Sequence, residues 1–352
     1  MKKMKSRIAR ICLALCLAAM MAGCAGTEKK EEKTGIKIGV AIYRGDDAFI
    51  SSLCTSLENA IKDKEEKLGK KVVVNIADAK NSQSSQNDQV DDFIRKGYDA
   101  ICVNMVDRTV AAVIVDKAKE AGIPIIFFNR EPVEEDMAIW NQTYYVGTDA
   151  REAGELEGQI VADAWKSQES RIDKNGDGKL QYVMLEGEQV HQDSLIRTEY
   201  SVKTILKEGI VTEKLASGTG NWMRSPAYEL MQEWIGQYGS QIEVVLSNND
   251  EMAMGAIEAL VENGMSGGNG PIVVGIDGTE DGLEKIIKGE MEGTVMNDAR
   301  GQAESILGIA CACAEGKDPK QEVPELKGQY VRVPHSPVTA DNVQEFIDYK
   351  NK

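Results

Sequence analysis

The sequence predicts an α/β protein made of two doubly wound parallel-sheet domains with a cleft between them. Three observations lead there. Short apolar runs alternate with helix-period patterns along the whole chain. Some of those runs are apolar on both faces, as in Ile123-Pro124-Ile125-Ile126-Phe127-Phe128, and strands of that kind belong to a parallel sheet covered by helices. Nearly every run ends in polar residues, at the place where open α/β sheets hold their ligands. A length of 352 residues suits two such domains rather than one.

Taken in order, Gly39 to Tyr43 is the first strand, with Asp46, Asp47 and Phe49 past its end and a helix over roughly 48–67. Val72 to Ile76 is the second strand, followed by a polar run and a helix to about Lys96. Ala100 to Val103 carries Asn104 and Asp107 at its tip, and a helix around 109–121 leads to the apolar strand ending at Asn129-Arg130-Glu131-Pro132. Tyr144 to Asp149 reads as the crossing into the second domain, ahead of a helix over 150–166. Tyr182 to Leu185 is a strand with Glu186 to Asp193 at its tip, then a helix. A stretch around Trp222 precedes another helix. Ile242 to Leu246 is a buried strand, Asn248, Asn249 and Asp250 form its tip, and Asp250 is the expected N-cap of the helix that follows. Ile272 to Ile276 ends at Asp277, and Gly293 to Met296 ends at Asn297-Asp298 before a helix to about Glu315. The tail holds a strand near Val331-Arg332-Val333 and a last helix over 340–350.

The formal net charge is −16, and the first 23 residues carry five basic groups and no acid, so the remainder stands at −21. That balance argues against nucleic acid and against an anionic membrane surface as partners. The basic start and the apolar run ICLALCLAAMMAG form a targeting segment too short to span a bilayer. Met21-Ala22-Gly23-Cys24 resembles a bacterial lipoprotein signal, which implies lipidation of Cys24 and an extracytoplasmic, lipid-anchored location; EKKEEK over 28–33 is then a charged tether. Cys54, Cys102, Cys311 and Cys313 fall in apolar helix or strand patterns and are read as buried free thiols.

Asp173-Lys174-Asn175-Gly176-Asp177-Gly178-Lys179-Leu180-Gln181 reproduces the D-x-[DN]-x-D-G spacing of a calcium loop, with Gly178 at the tight turn and Lys179 offering its carbonyl. Met184 stands at position twelve and supplies no carboxylate, so the loop is not a complete EF-hand. No phosphate-binding loop, nucleophile elbow or H-E-x-x-H is present in the sequence. The expectation is a binding protein, not an enzyme.

The strings IGVAIYRGDDAF, SQNDQVDDFI, IPIIFFNREP, YYVGTDAREAG, DKNGDGKLQYV, IEVVLSNNDEMAMGAIEAL and GTVMNDA resemble, in chain order, the galactose/glucose-binding proteins among the type I periplasmic binding proteins of ATP-driven sugar importers. The resemblance runs from about Lys37 to the C-terminus. It implies a three-segment hinge, crossing near Thr148, near Thr294 to Asn297 and near Val333. The domains expected from it are an N-terminal lobe of 36–147 plus 298–332 and a C-terminal lobe of 148–297 plus 333–352, after a signal peptide (1–23) and tether (24–35). It implies a sugar-binding set of Asp47, Phe49, Asn129, His191, Asp193, Arg197, Trp222, Asn249, Asp277 and Asn297. It also completes the calcium site, with Gln181 at position nine and Glu243 supplying the missing carboxylate beside Asp173, Asn175, Asp177 and Lys179.

The residue types suit a pyranose. Phe49 and Trp222 offer flat rings for its two C–H faces. Asp47, Asp193 and Asp277 accept from hydroxyls in charge-assisted bonds, Asn129, Asn249 and Asn297 both donate and accept, and Arg197 donates. His191 has no nucleophile or leaving-group partner in view and reads as a hydroxyl partner. The expected ligand is glucose or galactose, captured by hinge closure by a monomer and delivered to a membrane permease. A membrane sensor kinase or chemoreceptor is the alternative partner. A glycoside hydrolase using Asp47 and Asp277 is the competing enzymatic reading, since such enzymes need only a suitably spaced carboxylate pair. A transcription regulator of the same fold would need a basic DNA-binding segment that the sequence lacks.

Overall fold

The computed structural model describes residues 35–350; the signal segment, Cys24 and most of the tether lie outside them. Twelve strands fall into two six-stranded sheets. The first contains β1 (Gly35–Ile42), β2 (Lys71–Asp78), β3 (Ala100–Val103), β4 (Ile125–Phe128), β5 (Thr143–Gly147) and β11 (Tyr330–Arg332), in the order β11-β5-β4-β3-β1-β2. The second contains β6 (Lys179–Glu186), β7 (Val211–Thr219), β8 (Val244–Ser247), β9 (Ile272–Asp277), β10 (Gly293–Met296) and β12 (Ser336–Thr339), in the order β12-β10-β9-β8-β6-β7. The pairings of β1, β3, β4, β5 and β11 are parallel, as are those of β6 to β10, whereas β12 runs antiparallel to β10. Helices cover both faces of each sheet, so β3, β4, β8 and β10 are buried at every position. The fold class expected from the sequence, two α/β domains with parallel-dominated sheets, is the one observed.

The chain passes between the sheets three times. After β5 the long helix α1 (Ala150–Ile172) packs on the second sheet, against β8, β9, β10 and β12. After β10 the helix α2 (Ala299–Ala314) packs on the first, against β3, β4 and β5. The third passage joins β11 to β12, and it is tied to the first. Val333 N donates to Gly147 O at 2.8 Å, and Arg332 Nη1 donates to Thr148 O at 3.1 Å.

Several local expectations are corrected. The edge strand β7 was not anticipated, because its sequence VTEKLASGT is half-exposed and mixes Lys, Glu and Gly with few β-branched residues. The antiparallel β12 and the helix Glu280–Ile287 were likewise unforeseen. Asn249, not Asp250, caps the helix Asp250–Glu262, accepting from Met252 N at 3.0 Å. Asp250 is instead fully buried in the first turn, where it accepts from Thr279 N (2.7 Å), Thr279 Oγ1 (3.0 Å) and Thr294 Oγ1 (2.6 Å) and so binds the starts and ends of three segments together. All four cysteines in the described residues are free, but only Cys102 and Cys311 are buried; Cys54 and Cys313 are half-buried.

Helix α1 lies very close to the helix α3 (Gln192–Lys207), and glycine permits it. A Cβ on Gly154 would sit 2.8 Å from the Arg197 carbonyl, and one on Gly158 would collide with the Ser201 carbonyl. Both obstacles are backbone, which cannot swing aside. Gly158→Ala is therefore expected to cost about 1–3 kcal/mol through overpacking, read as a lower midpoint in urea unfolding.

Candidate functional site

The tips of the two sheets meet, and twelve side chains line one space between them. They are the ten expected residues, Asp47, Phe49, Asn129, His191, Asp193, Arg197, Trp222, Asn249, Asp277 and Asn297, together with Tyr43 and Arg130. The first sheet contributes Tyr43, Asp47, Phe49, Asn129 and Arg130 from beyond β1 and β4. The second contributes the remainder, Asp277 from the last position of β9 and the others from beyond β6, β7, β8 and β10. Phe49 and Trp222, each 7% exposed, stand on opposite lobes. The indole lies directly over Gly187, where any Cβ would strike it.

Six non-glycine residues have positive φ in the described chain, and three of them line this space: Asn129 (59°), Trp222 (64°) and Asp277 (124°). A bulky or branched side chain gains nothing for folding from the left-handed region, so such strain is held where surrounding structure demands it and concentrates at functional sites.

Capping and site geometry are combined in the same side chains. Asp47 caps its helix through Oδ1 to Ile50 N (2.9 Å), while Oδ2 accepts from Tyr43 Oη at 2.5 Å. Asn249 caps through Oδ1 and donates Nδ2 to the Trp222 carbonyl at 3.3 Å, fixing the indole's backbone. His191 caps α3 by accepting from Asp193 N at Nδ1 (3.1 Å), which leaves the proton on Nε2 as a donor. Burial first, then the guanidinium groups of Arg130, Arg197 and Arg108, hold its pKa well below the usual histidine value, so the ring is neutral.

Arg197 is the electrostatic centre of the second lobe. It donates Nη1 to Asn248 O (2.9 Å) and lies 3.6 Å from Asp193 Oδ2 and 3.9 Å from Asp277 Oδ1. Its Nε is buried with no hydrogen-bond partner among the described residues. Asp277 is pushed up to about 8 by burial, against which Arg197 acts in the opposite sense and Asp250 and Asp47 add to the rise. Asn297 Nδ2 reaches Asp277 Oδ1 at 3.3 Å, and Asn297 Oδ1 accepts from Gln302 Nε2 at 2.7 Å, a chain that runs along the second passage between sheets. Asp193 is also raised, by burial above all.

Two lining residues were not anticipated. Tyr43 directly follows β1 and its ring carries the Arg130 guanidinium at 3.7 Å from the centroid. Arg130 follows Asn129 directly, and a charged residue at a buried strand tip was the available signal.

The loop 173–181 is also ordered around its acids. Asp173 accepts from Gly176, Asp177 and Gly178 N, and Asp177 Oδ1 accepts from Lys179 N at 2.9 Å. Gly176 and Gly178 have φ of 71° and 73°, which only glycine adopts freely. Glu243 is buried beside the loop and accepts from Lys174 N (2.8 Å) and Gln181 N (2.9 Å). Burial and then the nearby Asp173 and Asp177 raise its pKa. No cationic side chain pairs with these three carboxylates among the described residues, and Gln181 Oε1 is buried without a partner. Lys174 acts on Glu243 from further off, and among the described residues the acids do not draw together into a ready-made group of three metal-ligating side chains. The oxygen-rich donor set with one orphaned carbonyl oxygen is nonetheless of the kind a hard divalent cation takes.

Behind the site, Glu157 is fully buried on α1 and accepts from Ser247 N at 3.1 Å, holding the end of β8. Burial pushes its pKa to about 8 from an ordinary value of 4.5. With the folded value above the unfolded one, Glu157 stays protonated in the fold, and its cost grows as pH rises from 4.5 through 8. Glu157→Gln is accordingly expected to match the parent protein in urea unfolding near pH 4.5 and to exceed it by more than about 1.4 kcal/mol at pH 8.

Comparison with known proteins adds an independent observation. Residues 38–318 match the family described as periplasmic binding protein domain. The D-galactose/methyl-galactoside binding periplasmic protein of Haemophilus influenzae is 38% identical over 315 residues, covering 88% of this chain and 92% of that protein. A solute binding protein of an ABC transporter from Bacillus halodurans, solved with bound myo-inositol, is 30% identical with a TM-score of 0.75, covering 91% and 99%. A further solute binding protein, from Actinobacillus succinogenes with bound D-allose, is 22% identical with a TM-score of 0.75, covering 88% and 99%, and speaks to the fold alone.

Proposed function

The chain belongs to the periplasmic binding protein domain family, and from that premise we propose that it is an extracytoplasmic sugar receptor that closes on a hexose of the glucose/galactose type and hands it to an ATP-driven permease. The observation that carries the reading is the convergence of Phe49 and Trp222 from opposite lobes, three carboxyls, three amides and two guanidinium groups on a single space. A pyranose has a rim of groups that both donate and accept, between two C–H faces, and this set answers each part. A sugar lacking one hydroxyl leaves a buried partner unpaired, which is where selectivity arises. The relative from Haemophilus influenzae bears the name of a galactose binder, which supports the choice of hexose; the inositol-bound structure makes a cyclic polyol the competitor to test.

Capture requires the lobes to part. The space measures about 30 Å³, room for about two waters, and it adjoins a larger cavity of about 680 Å³ that shares Phe49, Asp277 and Asn297. On this reading a hexose is admitted by rotation about the three connecting segments. Binding then selects a closed population that the permease, or a membrane sensor in its place, distinguishes from the open one. Lipid attachment at Cys24 would keep the receptor at the membrane and belongs to the same proposal. No step of catalysis is invoked: neutral His191 faces arginines and packs T-shaped on Trp222, with ring centroids 5.2 Å apart, and among the described residues its hydrogen bonds run to the backbone and not to a nucleophile.

Titration calorimetry with a panel of glucose, galactose, ribose and myo-inositol decides the ligand. Trp222→Ala and Asp277→Ala should each weaken the best hexose at least about tenfold, or 1.4 kcal/mol. Unchanged affinity in both would remove the site from consideration, and turnover of a glycoside would restore the enzymatic reading.

We further propose a structural Ca²⁺ held by Asp173, Asn175, Asp177, the Lys179 carbonyl, Gln181 and Glu243, pinning the loop to the second sheet. Bound there, the cation neutralises a cluster that is otherwise self-repelling. At a hundredfold excess over its Kd it would add about 2.7 kcal/mol of stability. Thermal unfolding after chelation should show a lower Tm, restored by calcium in the parent protein but not in Glu243→Gln.

A further inference from the structure

Arg130 touches both lobes at once. Its backbone belongs to the tip of β4, its Nη1 donates to Val106 O at 3.1 Å, and its plane lies on the Tyr43 ring, all within the first lobe. Its Nη2 reaches across the cleft to Glu188 Oε2 at 2.9 Å, beyond the end of β6 in the second lobe. The pair is well enclosed, with side-chain exposures of 6% and 16%. The other ion pairs among the described residues each stay within one lobe. Glu188 is in turn fixed by its own carbonyl, which accepts from His191 N at 3.0 Å, so the pair is anchored to the loop that carries a lining residue.

One atom of this guanidinium is unused. Arg130 Nε is buried without a hydrogen-bond partner among the described residues, and Arg130 lines the space between the lobes. Closing the cleft therefore forms the Arg130–Glu188 pair but removes Nε from water. A buried ion pair by itself contributes little net stability, because desolvation offsets its attraction. A donor left unsatisfied tilts the balance toward the open arrangement.

We propose that Arg130 couples ligand to closure: its Nε donates to a hydroxyl of the bound sugar while its Nη2 holds Glu188 of the opposite lobe, so that the latch is complete only when the cleft is occupied. The ligand class, a neutral polyol with an acceptor oxygen facing Arg130, rests on the function proposed above; the latch itself rests on the ion pair. Arg130 is then a specificity-determining residue, and Glu188 a positioning residue that acts on the sugar only through it.

The test uses the full chain, with galactose, glucose and myo-inositol as probes, and reads Kd, dissociation rate and radius of gyration by small-angle scattering. Glu188→Gln removes the charge of the pair without touching the sugar. It is expected to raise Kd about tenfold, almost wholly through faster dissociation, and to enlarge the radius of gyration at a given sugar concentration. Arg130→Gln should weaken binding at least as much, and the double variant no more than about twofold beyond Arg130→Gln, as for residues acting in one unit. Glu188→Gln also keeps the test decisive if Arg130→Gln does not fold. Glu188→Gln with Kd and dissociation rate within about twofold of the parent overturns the latch, whatever Arg130→Gln does. If no probe binds the parent protein, the proposed function fails and the ligand-coupled latch fails with it; binding that Glu188→Gln leaves unchanged overturns the latch alone.

Discussion

The constraint on which the structure depends is the burial of polar strand ends against one another. Each lobe alone would expose its tips to water, where Asp, Asn, His and Arg are at no disadvantage. Brought face to face, the same groups must satisfy one another or a guest. The fold meets this with paired use of atoms. Asp47 serves its helix with one oxygen and Tyr43 with the other, and Asn249 spends its carbonyl on the helix start and its amide on the Trp222 backbone. What these local bonds do not consume is left without a protein partner among the described residues, as at the buried Nε atoms of Arg130 and Arg197, both residues of the cleft wall.

Strain and burial act together at this boundary. The positive φ at Asn129, Trp222 and Asp277 turns three side chains at strand ends into the space where a regular exit would aim them elsewhere. The rest of each lobe is conventional enough to hold that strain. Buried β-branched strands lie under helices, and α1 and α3 meet at the glycines Gly154 and Gly158. That close contact sets the position of α3, whose start and first turns carry His191, Asp193 and Arg197.

Much of this was readable beforehand, for reasons that differ residue by residue. The doubly buried strands announce themselves because nothing polar interrupts them, and the lining set could be named because each member sits just past such a run. Asp250 misled because its type favours a cap, while its neighbour Asn249 shares that preference; only the threonines at 279 and 294, far along the chain, decide which of the two turns inward. The strand β7 escaped notice because an edge strand facing water lacks the pattern that betrays a buried one. Arg130 escaped for the opposite reason. Its meaning lies in Glu188, 58 residues away on another lobe, and no local pattern reports such a pairing. The match to the periplasmic binding protein family supports the two-lobed architecture, while the roles of individual lining residues remain a matter for the cleft's own chemistry.

The hydrogen-bonded run Asp277–Asn297–Gln302 lies at once on the wall of the cleft and on the second connecting segment. A residue exchanged there to suit a different guest also alters the pivot on which the halves swing. Under the closure proposed above, taste and tempo are thereby one trait: drift toward a new guest at 277 or 297 would alter opening and shutting in the same mutational step.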